Sequence, residues 1–116
     1  MMIDIKDFIN SGFAVSTDDG DKIFHMLNES FSKEEEVTLN FQGVTLMTTA
    51  FLNAAIGQLY GNNEYSSDFL NKNITLKNVQ DQDVHLFSLV VKRAKEYFAD
   101  KEGFEKNSND SIYGSN

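Results

Sequence analysis

Two adjacent hydroxyls, Thr48 and Thr49, stand directly before the apolar pattern AFLNAAIGQLYG. A threonine in front of a helix accepts a backbone N–H that the first turn leaves free, which contributes ~1 kcal/mol. The same position suits a second chemistry. A phosphate there adds ~1.5–2 negative charges beside the positive end of the helix dipole. Only one of two neighbours can serve as the cap, so the other hydroxyl is left for another purpose. The rest of the chain offers little chemistry. His25 and His85 fall in separate apolar patterns, and nothing in the sequence brings them together. The run DDGD at 18–21 resembles a calcium loop, with Glu29 at the twelfth position from Asp18. Positions three and five are Gly20 and Lys22, so the alternating oxygen ligands are missing. Acids in the first turn of a helix explain that run better. The acids at 34–36 read as solvated loop charge before a strand. There is no glycine-rich phosphate loop, no Ser-x-Gly elbow, no cysteine and a single arginine, Arg93. The expectation is a protein that is not an enzyme and holds neither metal nor cofactor.

An alternation of strands and helices positions these residues. Ile3 and Ile5 alternate with Asp4 and Lys6 as a first strand, and 11–17 reads as a second after a turn near Asn10-Ser11-Gly12. Ile23, Phe24, Leu27 and Phe31 share one side of a helix capped by Thr17 or Asp18. Val37, Leu39 and Phe41 alternate with Thr38 and Asn40 as a strand. The helix behind the threonines carries Phe51, Leu52, Ala55, Ile56, Leu59 and Tyr60, and Gly61-Asn62-Asn63 closes it. Gly57 in its middle costs about 1 kcal/mol against alanine, so a close packing neighbour is expected there. Residues 66–72 read as a helical turn capped by Ser66 or Ser67, and Ile74 and Leu76 mark another strand. A last helix runs from about 81 to about 101, with Val84, Phe87, Val90, Val91, Ala94, Tyr97 and Phe98 on its stripe. The strand–helix–strand passage from 37 to 78 is a crossover between parallel strands. The fold class is therefore α/β: a sandwich with a small mixed sheet of about four strands and helices packed on it.

Length and composition set the outer limits. The 116 residues make one domain, 1–102, followed by a flexible C-terminal tail over 103–116 that lacks periodic apolar positions. Hydrophobic residues make up 41%, too many for a disordered chain, yet no run is long enough to span a membrane. The start MMIDIKDF is acidic where a secretory signal is basic, so a cytoplasmic protein is expected. The net charge is −8, and nine acids against three bases in residues 1–36 concentrate it at the start. Such a surface repels phosphate backbones and leaves a basic protein partner open.

The stretch VTLNFQGVTLMTTAFLNAAIGQLYG resembles the central motif of the STAS-like domain family, relatives of the anti-sigma-factor antagonists. An apolar strand ends in a polar turn, two hydroxyl residues follow, then Phe-Leu, then a small-residue helix with Gly-x-Leu. Val37, Leu39, Phe41, Gly43, Thr48, Thr49, Phe51, Leu52, Gly57 and Leu59 carry the likeness. The order of elements extends it over most of 1–98, and it is specific over about 37–60. In the antagonists, a serine at the position matching Thr48 is phosphorylated by a kinase-type anti-sigma factor. Here Met47 stands where an aspartate is usual, and Thr49-Ala50 follows. The resemblance implies a regulatory protein-binding domain whose partner is a kinase-type ATPase regulator. The expected contact surface comprises the turn with Gly43 and Thr45, the hydroxyls of Thr48 and Thr49, and the neighbouring Asp18 and Asp19. Two other readings stay open. One is an acidic inhibitor filling a basic, nucleic-acid-binding groove of a partner. The other is a small-ligand module at the sheet edge.

The lack of apolar periodicity after residue 102 generates a first prediction. Truncation at Glu102 leaves the melting temperature within a few degrees of the full chain in a thermal scan. A larger fall means that Phe104, Ile112 or Tyr113 is docked.

Overall fold

The computed structural model describes residues 1–61 and 64–96. Strand β1 (Met2–Asp4) passes directly into α1 (Ile5–Ile9). The chain continues through β2 (Phe13–Ala14), α2 (Thr17–Ser32), β3 (Val37–Asn40) and β4 (Leu46–Met47). Then α3 (Thr49–Leu52), a π-helical turn (Asn53–Gly57) and α4 (Gln58–Gly61) form one unbroken helical stretch. After α5 (Ser67–Asn73), β5 (Ile74–Lys77) and a 3-10 turn (Asp81–Asp83), helix α6 occupies residues 84–96. The expected turn at Asn62-Asn63, the helix stripe at Tyr97 and Phe98, and the tail over 103–116 lie outside the described residues.

The α/β class stands, but the sheet differs from the expected one. Every described strand pair is parallel, in two sheets ordered β1-β3-β5 and β2-β4, rather than about four strands in one mixed sheet. Two local signals account for the split. Ile5 and Ile9, four residues apart and both buried, take a helical spacing that overrides the Ile3/Ile5 alternation. The resulting α1 ends at Asn10 in the left-handed conformation (φ 58°), with its N–H on the Lys6 carbonyl. It carries β2 away from β1 and against β4. Gly43, at φ +87°, turns the chain between β3 and β4, so these two strands also enter different sheets.

Side-chain amides tie the three-stranded sheet together at its carboxyl end. Asn40 donates to Asp4 Oδ1 at 2.8 Å, and Asn78 donates to Asn40 Oδ1 at 2.7 Å. The inner faces of β1 and β3 bury Ile3, Val37 and Leu39 against Ile23 and Leu27 of α2 and Leu52 and Leu59 of the neighbouring helical stretch. Helix α6 closes the core through Phe87, whose ring meets that of Phe41 edge-on at 5.4 Å, and through Val90. Val84 is not on this stripe. It is 52% exposed at the first residue of α6, a turn ahead of the buried Phe87. Among the described residues no helix is long and apolar enough to cross a membrane.

Helix α2 is capped by Ser16, whose Oγ accepts from the Asp19 N–H at 3.1 Å, rather than by Thr17 or Asp18. One turn on, Gly20 lies directly on the next helical stretch. A Cβ there would sit 2.5 Å from the Phe51 carbonyl oxygen and 2.6 Å from the Ala54 Cβ. The π turn begins at this crossing. Ala54, Ala55, Ile56 and Gly57 are all buried, four in succession, which a helix with one apolar stripe does not produce. The turn is enclosed from two sides. Gly57 meets α6, where an added Cβ would stand 3.2 Å from Val90 Cγ1, so the expected close neighbour of Gly57 is a helix. The Gln58 side-chain amide donates to the Ala54 carbonyl at 2.8 Å and to Asp21 of α2 at 3.0 Å, tying the turn to α2.

This crossing yields a test. Glycine to alanine inside a helix normally stabilises by about 1 kcal/mol. Gly20→Ala is expected to do the reverse, because the methyl would overlap backbone, and overpacking costs about 1–3 kcal/mol. Urea titration of the two proteins measures the sign. A variant as stable as the parent would show that the helices part without loss.

Candidate functional site

The two-stranded sheet sets up an edge where two helices begin. Phe13 pairs with Leu46 and Ala14 with Met47. Alternation sends Ala14 and Met47 into the core. Phe13, Leu46 and Val15 face outward, and Phe13 and Leu46 are 58% and 52% exposed. Each strand then runs into a helix, β2 through Ser16 into α2 and β4 through Thr48 into α3. Because β2 and β4 are parallel, both helix starts leave from the same end of the ribbon.

Thr48 joins them. Its Oγ1 accepts from the Phe51 N–H at 3.2 Å, which caps α3. The same hydroxyl donates to the Val15 carbonyl at 3.0 Å, and the Thr48 N–H reaches the Ala14 carbonyl at 3.1 Å. Its proton and a lone pair are thus both committed, one to each chain segment. Thr49 is half-buried, and its hydroxyl makes no hydrogen bond among the described residues. On the α2 side Asp18 is exposed, and Asp19 forms an ion pair with Lys22 at 3.7 Å.

Of the residues expected at the site, the fold therefore gathers Asp18, Asp19, Thr48 and Thr49 at one edge. Gly43 and Thr45 sit at the other end of the short strands. There the Thr45 N–H donates to the Gly12 carbonyl at 2.9 Å, and a Cβ on Gly12 would stand 3.0 Å from the Gly43 oxygen. Between these two ends lies the apolar face of Phe13, Val15 and Leu46, which the sequence reading had not singled out. Its signal was present in the run Phe13-Ala14-Val15. Three consecutive apolar residues in a strand cannot all point inward. The histidines lie apart from this edge. His25 is exposed on α2 with its ring 5.5 Å from that of Phe24, and His85 is exposed on α6. Among the described residues no group of three or more acidic or imidazole side chains is placed to hold a metal ion.

Two parallel sheets, helices packed on them and paired helix starts at one strand edge make a small α/β domain. The model of a family described as STAS-like domain of unknown function (DUF4325) matches residues 19–84, and the chain belongs to that family. The match runs from the first turn of α2 to the start of α6, and so takes in Gly43, Thr45, Leu46, Thr48 and Thr49. No curated protein and no solved structure matches the chain.

The double engagement of Thr48 predicts an order of stabilities. Thr48→Ser retains both bonds and stays within a few tenths of a kcal/mol of the parent. Thr48→Ala loses ~1–2 kcal/mol. Thr48→Asp keeps the cap but sets a carboxylate against the Val15 carbonyl, so it is no more stable than Thr48→Ala. Thr49→Ala is close to neutral. Thermal melts rank the four, and a Thr48→Asp protein as stable as the parent would show that the bridge to Val15 contributes nothing.

Proposed function

We propose that this STAS-like domain is a non-enzymatic docking module that binds another protein through its β2–β4 face and the two helix starts beside it. The observation that carries the reading is the in-register pair Phe13 and Leu46, both more than half exposed on the outer face of the ribbon. Single exposed apolar residues are ordinary, but a contiguous set with a polar rim marks a contact surface. Thr45, Thr49 and Asp18 supply that rim. The partner that the family likeness favours is a kinase-type ATPase regulator in the cytoplasm, and its contacting surface is apolar at the centre with basic groups at the α2 side. Control of the contact by phosphorylation falls on Thr49. The Thr48 hydroxyl already serves two backbone groups, whereas a phosphate on Thr49 would add charge in the first turn of α3 without breaking either bond.

The test is a titration of the domain against such a regulator at two salt concentrations. Leu46→Asp is expected to weaken the complex by ~2 kcal/mol or more, as loss of a central apolar anchor does, with the melting temperature unchanged. Thr49→Asp weakens it in the same direction. Equal affinity for Leu46→Asp and the parent rules this face out. An alternative rests on the acids of residues 1–36, which would fill a basic groove of the partner. It requires that affinity collapse with added salt, whereas the apolar contact persists.

A further inference from the structure

A second open surface lies outside the docking edge. The helical stretch after Thr48, strand β5 and helix α6 enclose a groove of about 610 Å³, within the range of small-molecule sites. Its walls are apolar: Ile56, Ile74, Leu76, Phe87 and Val91. Strand β5 is an outer strand of its sheet, and the two residues that alternation marks for burial on it, Ile74 and Leu76, are only partly covered. Leu76 remains 39% exposed.

The rim has the opposite character. Lys92 and Lys95 lie three residues apart on the groove side of α6, and both line the groove. The Lys95 Nζ is 5.5 Å from the centroid of the Tyr60 ring, which sets this exposed ammonium beside the groove. The chain carries 18 acids to 10 bases, yet neither lysine has an ion-pair partner among the described residues. Glu96 lines the same rim without pairing to them. Across the opening the Tyr60 hydroxyl donates to Asn71 Oδ1 at 2.6 Å, and burial raises the phenol's pKa, so it remains a neutral donor. Asn71 makes no other side-chain hydrogen bond among the described residues, which leaves its amide N–H groups for an incoming oxygen.

We propose that this groove binds a medium-chain carboxylate, with a body of roughly eight to twelve carbons along the apolar walls and its head group between Lys92, Lys95 and Asn71. Charge complementarity selects the anion, and the uncovered β5 residues select the chain. A neutral chain of equal length lacks the head-group contact, and a cation of equal length meets two ammonium groups.

The experiment is an amide NMR titration of the full chain with decanoate, and separately with decylamine, both below aggregation. Decanoate is expected to give saturable shifts at Ile74, Leu76, Val91 and Lys95, with none of comparable size at Phe13 or Leu46. Decylamine gives no saturable shift in the groove. The double variant Lys92→Glu/Lys95→Glu, its fold verified by melting temperature, binds decanoate about fivefold more weakly or worse. The proposal is overturned by equal binding of decanoate and decylamine, by a double variant that binds as the parent does, or by decanoate shifts centred on Phe13 and Leu46. Absence of any saturable shift in the full chain overturns it too, since the groove is then closed to ligands by the chain itself or by a second copy.

Discussion

Everything at the β2–β4 edge depends on one backbone contact, the crossing of α2 over the helical stretch that follows Thr48. Gly20 has no Cβ, and the space where one would stand is held by the Phe51 carbonyl and the Ala54 methyl. Two helices that approach this closely can do so at only one point along each. That point lies within a turn or so of Ser16 and of Thr48, so the depth at which the helices cross also fixes the level of their first turns. The Thr48 bridge to Val15 then fastens the strand side of the same corner. Contact and bridge together hold the helix starts at matching heights on a sheet only two residues long.

The π turn is the other side of this constraint. A helix pressed between α2 and α6 must present small residues in two directions, and the widened turn allows Ala54 and Ala55 to meet one helix while Gly57 meets the other. Ile56, from the same turn, reaches the groove under Lys95. One stretch of thirteen residues, 49–61, thus shapes the β2–β4 edge with its first turn and walls the groove with its last two.

Much of this was legible in the sequence wherever a pattern was long. The α2 stripe of Ile23, Leu27 and Phe31, the alternation of Val37 and Leu39, and the burial of Phe51, Leu52 and Leu59 all follow from period alone. The strand-to-helix threonines and the likeness to the STAS-like family were legible too. Short elements were not. A two-residue strand such as β4 carries no period, and a five-residue helix such as α1 is decided by Ile5 and Ile9 competing with Ile3. The division into two sheets depends on a positive φ at Asn10 and Gly43, and an asparagine permits that conformation without announcing it. Which hydroxyl was free depended on the neighbour across the ribbon, Val15, thirty-three residues from Thr48. Local patterns do not contain such a partner.

The parallel pairing also bears on how the chain is made. Met2 pairs with Thr38, Phe13 with Leu46 and Val37 with Ile74, so none of the described strands has its partner close by in sequence. Among the described strands no hairpin is there to nucleate assembly, and each pairing must first close a loop around a helix. On the ribosome β1 waits for β3, and β3 then waits with one flank bare until β5 has been released. During that interval the edge of β3 keeps its backbone groups unpaired, and Val37 and Leu39 on its face rely on α2 for cover. A protein built this way depends on α2 forming early, since the helix that covers these residues in the finished molecule emerges before they do.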